Sequence, residues 1–229
     1  MSGRTVGIIG GMGPAATVHF MARLQALTGA ARDEDHLHLI VDCNPHVPDR
    51  NEAARAGGAS PQAVLATMAK GLERAGAQLL VMPCNAAHAY AGAITAATSL
   101  PFIDLIETAC DEAAAHAPQS VGILAADGCL EAGLYQNALA RRGLATVVCE
   151  PEAQARFMAL IYAVKAGDVG QRTRAAMRGL AARLIDAGAD VILAGCTEIP
   201  LVLSQADVEA PLVDSIEALA RRTIEIARA

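Results

Sequence analysis

Residues 75–85 read AGAQLLVMPCN, and a closely similar stretch, AGADVILAGCT, follows 112 residues later at residues 187–197. Each stretch contains an Ala-Gly turn, a short apolar run, and a cysteine followed by a polar residue. Short apolar runs bounded by turn residues are typical of strands buried in a parallel sheet. The stretch therefore predicts a buried strand that ends near a cysteine, and its recurrence predicts that the chain contains this unit twice.

The repeat extends to both sides of this stretch. Downstream, PFIDLIE at residues 101–107 matches PLVDSIE at residues 211–217, an offset of 110 residues. Upstream, VGII at residues 6–9 matches VGIL at residues 121–124, an offset of 115 residues. Three matches in order at nearly one offset indicate a duplicated unit, and two copies are too few for a solenoid.

Strand and helix patterns alternate within the first copy. Residues 5–10 and 37–42 are predicted strands, and residues 14–28 are a predicted helix between them. Ser60 and Pro61 predict the start of another helix, with Ser60 as N-cap and Pro61 at the first helical position. An apolar stripe at helical spacing continues this helix up to a closing glycine, through Val64, Leu65, Met68, Leu72 and Ala75.

This alternation of strands and helices predicts a doubly wound α/β fold. Together with the repeat, it predicts two Rossmann-like α/β domains with parallel sheets, built from one duplicated unit. The first domain is predicted to contain residues 1–103 plus 207–229, and the second to contain residues 104–206.

The composition excludes several classes of protein. Hydrophobic residues make up 53% of the chain and charged residues 18%, so a disordered chain is not expected. The net charge is −6 and no run of five Lys or Arg occurs, so we expect no nucleic-acid partner. Apolar runs such as residues 79–82 are too short to span a membrane. The first residues lead directly into a strand pattern without a signal peptide, so we expect a cytoplasmic protein.

Six cysteines are spread along the chain without a CxxC pair, and their spacing predicts neither a zinc site nor a disulfide framework. Cys84 and Cys196 occupy equivalent positions of the repeat, just beyond the end of a strand, where open α/β sheets bind ligands. If the two halves face each other, these two thiols meet in one cleft. We expect the other four to be structural: Cys43, Cys110, Cys129 and Cys149.

Two opposed thiols suit the inversion of a carbon that carries a hydrogen. One group removes the proton from one face, and the other delivers a proton to the opposite face. A thiol has an ordinary pKa of about 8.5, close enough to neutrality to act as acid or base. The polar residues that follow the cysteines, Asn85 and Thr197, are candidates to bind substrate or to tune a thiolate. A single cysteine at the end of a buried strand is usually a core residue, but two at equivalent positions favour a function.

Five motifs occur in order along nearly the whole chain: residues 10–14 (GGMGP), 44–50 (NPHVPDR), 82–88 (MPCNAAH), 164–167 (VKAG) and 195–200 (GCTEIP). With them the sequence resembles the aspartate/glutamate racemase family, and within it the aspartate racemases most. The resemblance implies that the two α/β domains are related by pseudo-twofold symmetry, with the active site in the cleft between them. It also implies two catalytic cysteines, Cys84 and Cys196, and a homodimer acting on a small amino acid. It also implies that no cofactor is used, neither pyridoxal phosphate nor a metal.

The resemblance further implies that Arg50 binds a substrate carboxylate, for which a guanidinium offers a planar fork of donors. Lys165 would be a second cation, and the pair would favour a substrate with two carboxylates. The residues implied to contact substrate are thus Met12, Gly13, Arg50, Asn85, Ala86, Lys165 and Thr197. Glu198 and His88 are candidate auxiliary residues that orient a thiol or hold water.

The glycine loop at residues 10–14 lies between a predicted strand and a predicted helix. Its backbone N–H groups are expected to hold a substrate carboxylate. The GxGxxG spacing of a dinucleotide site is absent, and this argues against a nucleotide-binding protein.

The sequence departs from the family at two places. Ala86 stands where aspartate racemases carry threonine, and Ala126, Asp127 and Cys129 replace threonines that the family tends to place in the second half. These departures concern residues expected to contact the substrate rather than the two cysteines. The sequence is therefore interpreted as a racemase of L- and D-aspartate or a closely related acidic amino acid.

Three alternatives stay open. The chain acts on a different amino acid or a hydantoin; it decarboxylates a malonate, although one cysteine would suffice for that; or it binds an amino acid without catalysis.

Overall fold

The computed structural model describes residues 3–54 and 58–229. The first half of the chain contains, in order, β1 (Val6–Gly10), α1 (Pro14–Thr28), β2 (Leu39–Cys43), α2 (Arg50–Ala54), α3 (Gln62–Arg74), β3 (Leu79–Val81), α4 (Ala91–Thr95) and β4 (Phe102–Ile103). The second half contains α5 (Leu105–Ala115), β5 (Ser120–Ala125), α6 (Asp127–Glu131), α7 (Leu134–Ala140), β6 (Ala145–Val148), α8 (Pro151–Lys165), α9 (Gln171–Asp186), β7 (Val191–Gly195), β8 (Leu212–Asp214) and α10 (Ser215–Arg228).

The strands form two four-stranded parallel sheets of identical topology. The first has the order β2-β1-β3-β4 and the second β6-β5-β7-β8. β1 and β5 occupy equivalent positions, as do β3 and β7, which are the strands of the repeated stretch. The predicted fold class, two parallel-sheet α/β domains from a duplicated unit, is confirmed.

The repeated glycines and alanines have the same packing role in both halves. A Cβ added to Gly7 of β1 would lie 2.8 Å from the Cβ of Ala77, and a Cβ added to Gly122 of β5 would lie 2.9 Å from the Cβ of Ala189. The segment that enters β3 or β7 therefore packs closely on the central strand. This contact explains why the Val-Gly-Ile and Ala-Gly-Ala patterns both recur.

The helix that follows the last strand of each sheet packs on elements of the other half. α5 follows β4 of the first sheet but packs against α7 and β8, whereas α10 follows β8 of the second sheet and packs against α1 and α5. Buried residues of both sheets and of these two helices form one continuous hydrophobic cluster. β8 belongs to the second sheet, and the helix that follows it, α10, packs on α1 of the first half. The division at residue 207 stays a prediction.

Two details of α3 differ from the prediction. The helix begins at Gln62, one residue later than predicted, with Pro61 rather than Ser60 at the N-cap. The Ser60 hydroxyl oxygen accepts a long hydrogen bond of 3.4 Å from the Gln62 N–H. Ala75 is exposed, so the buried stripe ends one turn earlier, at Leu72. Within the described residues, none of the helices is long and apolar enough to cross a membrane.

Candidate active site

Both repeated cysteines line one cavity between the two halves. Cys84 lies three residues beyond the end of β3, and Cys196 directly follows β7, so each lies at the carboxyl end of an inner strand of its sheet. A short 3₁₀ turn follows each cysteine, at Ala86–Tyr90 and at Ile199–Leu201. Both cysteines are buried, with 5% and 7% of their surface exposed. The duplicated fold thus brings two thiols 112 residues apart in sequence to one site.

Most of the residues named from the sequence line this cavity: Met12, Arg50, Asn85, Ala86, Lys165, Thr197 and Glu198. Gly13 is not among the lining residues; a Cβ there would lie 3.8 Å from the Glu198 Oε1. His88 lies behind Cys84 rather than at the cavity wall. Three lining residues were not named as site residues: Asn51, Ala126 and Gly195.

The Cys196 thiol has a carboxylate partner. Its Sγ–H donates to the Glu198 Oε2 at 3.0 Å, and the same oxygen accepts the Thr197 hydroxyl at 3.2 Å. All three residues are buried. Burial and the neighbouring Glu198 carboxylate together hold the pKa of Cys196 well above its usual range. Cys196 is therefore a protonated thiol in this arrangement.

His88 holds the Cys84 loop through backbone groups. Its Nε2 accepts the Leu105 N–H at 3.1 Å, so the ring proton is on Nδ1, which donates to the Cys84 carbonyl oxygen at 2.8 Å. Burial lowers the pKa of His88, and the ring is neutral. Since both nitrogens are occupied, His88 positions the loop and has no atom left to carry a substrate proton. His88 is itself buried.

Two cations border the cavity. Arg50 donates through Nη1 to the carbonyl oxygens of Val47 and Pro48 at 3.3 and 3.1 Å, and its other N–H groups have no partner among the described residues. Lys165 forms no hydrogen bond or ion pair with the described residues, and its ammonium lies 5.7 Å from the centre of the Tyr162 ring. Both side chains therefore keep N–H groups available for an anion.

The charges around Lys165 favour its ammonium form. Partial desolvation and the neighbouring Arg50 act to lower the pKa of Lys165. Negative charge on Glu198, and on Cys196 or Cys84 when either is a thiolate, acts in the opposite direction and outweighs them. The result is a raised pKa, so Lys165 is positively charged. A cation here is placed to attract a substrate carboxylate and to stabilise a nearby thiolate.

Asn51 connects the two halves beside Arg50. Its Oδ1 accepts the Gly128 N–H at the start of α6 at 3.0 Å, and its amide nitrogen lies 3.5 Å from the Tyr162 hydroxyl on α8. A Cβ on Gly128 would approach the Arg50 carbonyl oxygen to 2.9 Å, so only glycine permits this close approach. Sequence reasoning missed Asn51, although its position directly after Pro48-Asp49-Arg50 could have indicated a site residue.

The glycine loop is a tight turn between β1 and α1. Gly11 has a φ of +93°, and a Cβ there would lie 2.4 Å from the backbone of Asn44, so only glycine fits. Its N–H donates to the Thr17 hydroxyl at 2.9 Å. That donor is therefore not available to an anion, and the role of the remaining loop N–H groups in holding a carboxylate stays a prediction.

The other four cysteines are not among the residues that line the cavity. Burial raises the pKa of Cys110 to about 12 and also raises the pKa values of Cys129 and Cys149. Cys110 and Cys129 pack in the hydrophobic cluster shared by the two halves, and Cys43 is exposed. In the parts of the chain that the structure describes, no three His, Cys, Asp or Glu side chains group closely enough to bind a metal ion.

Comparison with a family model, with related sequences and with solved structures gives the same family each time. The sequence model described as "Asp/Glu/Hydantoin racemase" matches residues 9–223. A broad-specificity amino-acid racemase, RacX of Bacillus subtilis, is 30% identical over 223 residues, which are 96% of each chain.

Solved structures extend this likeness. The aspartate racemase of Picrophilus torridus superimposes with a TM-score of 0.85 at 31% identity, covering 98% of this chain and 94% of the other. A glutamate racemase of Francisella tularensis in complex with D-glutamate has a TM-score of 0.68 at 15% identity, covering 99% of this chain and 81% of the other, and shows the shared fold. The chain belongs to the Asp/Glu/hydantoin racemase family and is an amino-acid racemase, an isomerase.

Proposed function

We propose that this racemase interconverts L- and D-aspartate, or a closely related acidic amino acid, with Cys84 and Cys196 as paired base and acid. The observation that carries the proposal is the cavity itself. It has one buried cysteine from each half and two cations, Arg50 and Lys165, with uncommitted N–H groups.

The cations support a substrate with two carboxylates. A guanidinium and an ammonium form charge-assisted hydrogen bonds to carboxylates, which are stronger than bonds between neutral groups. A single α-carboxylate would use one cation and leave the other without a partner. A dicarboxylic amino acid uses both, and the hydroxyl of Thr197 and the amide of Asn85 supply further polar contacts.

The two thiols supply the proton transfers. In one direction a Cys84 thiolate removes the α-proton, the electron pair left on the α-carbon is delocalised into the carboxylate, and the Cys196 thiol delivers a proton to the opposite face. The step leaves a Cys84 thiol and a Cys196 thiolate, and the reverse reaction exchanges the roles. Positive charge from Lys165 stabilises both the thiolate and the developing negative charge on the substrate.

The hydrogen bond between Cys196 and Glu198 supports this assignment of the starting state. A thiol that donates to a carboxylate is protonated, so Cys196 starts as the acid. In this proposal Glu198 is a positioning residue that orients the Cys196 proton, and His88 holds the backbone of Cys84. The proposal uses no cofactor and includes a homodimer, both supported by the family resemblance, and it includes the cytoplasmic location expected from the sequence.

A second candidate is a wider range of amino-acid substrates. Ala86 and Ala126 line the cavity at positions where a threonine hydroxyl is expected for aspartate, and Met12 adds a further apolar side chain. An apolar wall discriminates weakly between substrates of similar size. A relative that covers 96% of this chain is a broad-specificity racemase, and this favours the same breadth here.

Incubation with a panel of L-amino acids in D₂O tests both candidates. We expect deuterium at the α-carbon and formation of the D-enantiomer, measured by NMR and chiral chromatography, with aspartate reacting fastest. Comparable rates for neutral amino acids would support the broad range instead. Inversion of aspartate that stops after dialysis against a chelator, or that requires added pyridoxal phosphate, would contradict the cofactor-free mechanism.

A further inference from the structure

Tyr135 of α7 is fully buried, and its ring lies against the residue that precedes Cys196. A Cβ added to Gly195 would lie 2.6 Å from the Cε2 of this ring, so the Tyr135 ring occupies the space that a side chain at residue 195 would need. The ring therefore packs on the backbone at the end of β7, where the chain leaves the sheet for Cys196.

The hydroxyl of the same tyrosine contacts the residue that follows Cys84. The Tyr135 O–H donates to the Asn85 Oδ1, and both residues are buried. One side chain thus touches the backbone beside one cysteine and the side chain beside the other. These contacts join the first half at Asn85 to the second half at Gly195.

Ser215, the first residue of α10, makes a second connection. The Asn85 Nδ2 donates to the Ser215 Oγ at 3.3 Å, and the Ser215 O–H donates to the Ala194 carbonyl oxygen at 2.8 Å. Ala194 lies in β7, two residues before Cys196. Ser215 is fully buried, so neither bond exchanges with water.

These bonds determine which way the Asn85 amide faces. The single proton of Ser215 is used on Ala194, so its oxygen accepts from Asn85, and the atom next to it is the amide nitrogen. Tyr135 donates to the amide oxygen. One N–H of the Asn85 amide is left without a partner among the described residues, and Asn85 lines the cavity.

We propose that Tyr135 and Ser215 are positioning residues that hold Asn85 with an N–H toward the substrate and set the placement of Cys84 relative to Cys196. This inference rests on the proposed two-thiol function. It also places a carboxylate oxygen of the substrate, an acceptor, beside Asn85 rather than the substrate ammonium.

The test compares Tyr135→Phe and Ser215→Ala with the control Tyr90→Phe. Tyr90 is a half-buried tyrosine without a side-chain hydrogen bond among the described residues. Tyr135→Phe keeps the ring on Gly195 and removes only the O–H. We expect kcat to fall roughly 10- to 100-fold in Tyr135→Phe and Ser215→Ala, because small displacements of reacting groups are costly. Tyr90→Phe should stay within twofold of the wild type, and thermal melting confirms that each variant folds.

A double-mutant cycle separates positioning from a general loss of structure. Because Tyr135 acts through Asn85, Tyr135→Phe should reduce kcat by less than threefold when Asn85 is already alanine. A wild-type kcat for Tyr135→Phe and Ser215→Ala overturns the inference and leaves the proposed function intact. Full additivity with Asn85→Ala overturns the route through Asn85.

If the wild type racemises none of the amino acids tested, the proposed function is refuted, but the positioning role of Tyr135 and Ser215 is not. A measurement without substrate then tests that positioning role. Cys84 and Cys196 are alkylated with iodoacetamide, and their rates are followed by peptide mass spectrometry. We expect the ratio of the two rates to change at least threefold in Tyr135→Phe and Ser215→Ala but not in Tyr90→Phe. Unchanged ratios would overturn the positioning role.

Discussion

The Glu198 Oε2 lies 3.0 Å from the Cys196 Sγ and accepts its hydrogen bond, whereas the Sγ of Cys84 has no hydrogen-bond partner among the described residues. The two halves are copies in fold but differ at this position of the repeat. Cys84 is followed by Asn85 and Ala86, and Cys196 by Thr197 and Glu198. Only one of these two thiols has a neighbouring carboxylate, so the two cysteines are not equivalent at the start of each catalytic cycle.

Glu198→Gln should shift the pH profile. Glutamine keeps an acceptor for the Cys196 proton but removes the negative charge that raises the pKa of this thiol, so its pKa falls. In the direction in which Cys196 is the acid, the alkaline limb of the kcat/KM profile should move to lower pH, with kcat reduced about tenfold. Exposed Glu209→Gln is the control. An unshifted alkaline limb would show that Glu198 does not set the protonation of Cys196.

Cys84→Ser and Cys196→Ser should each nearly abolish racemisation in both directions. A serine hydroxyl is a far weaker acid than a thiol, so each variant loses one of the two proton-transfer groups, and roughly 10²- to 10⁴-fold of rate with it. Exposed Cys43→Ser should keep the wild-type rate. Rates are measured by chiral chromatography, and melting temperatures check the fold. Normal activity in either cavity variant would rule out the two-base mechanism.

Lys165→Gln should reduce selectivity for acidic substrates. The change removes a positive charge from the cavity and keeps a polar side chain of similar length, so a second carboxylate loses a charge-assisted bond. We expect kcat/KM for aspartate to fall roughly 10- to 100-fold and kcat/KM for alanine to fall less. Lys70→Gln, an exposed lysine of α3, is the control. An equal loss for both substrates would place Lys165 on the α-carboxylate instead.

The duplicated fold was predictable because the repeat reflects local physical needs. Gly7 and Gly122 must be glycine where Ala77 and Ala189 pack on the central strands, and the apolar runs must fill sheets buried on both faces. These needs recur at nearly constant offset, so two strands ending near cysteines could be identified from the sequence. The positions of Arg50 and Lys165 came from the family motifs rather than from any local pattern.

The connections between the halves were not predictable, because they join residues far apart in sequence. Tyr135 and Asn85 are 50 residues apart, and Asn85 and Ser215 are 130 residues apart. In the sequence Tyr135 is an ordinary apolar position of a short helix, and Ser215 is an ordinary first residue of a helix. The packing of α5 against α7 and of α10 against α1 is likewise a property of the tertiary structure that no local pattern predicts.

Asp214 predicts how stability depends on pH. Its carboxylate caps α10 by accepting the Ile216 N–H at 2.8 Å, and burial raises its pKa from 3.8 to about 6. A raised carboxyl pKa means that the folded state holds the proton more tightly than the unfolded state. The contribution of Asp214 to the free energy of unfolding is therefore present in full below pH 4 and is lost as the pH rises through 6. The change in pKa from 3.8 to about 6 corresponds to at most about 3 kcal/mol, and partial exposure reduces this to about 1–2 kcal/mol.

Asp214→Asn removes this titration and keeps a cap, because asparagine caps helices about as well as aspartate. We expect its free energy of unfolding, measured with urea, to exceed that of the wild type above pH 6.5 and to vary less between pH 4 and 7. Asp214→Ala removes the titration and the cap together, so its curve should be equally flat but about 1 kcal/mol lower than that of Asp214→Asn. A wild-type slope in both variants would mean that another group titrates in this range.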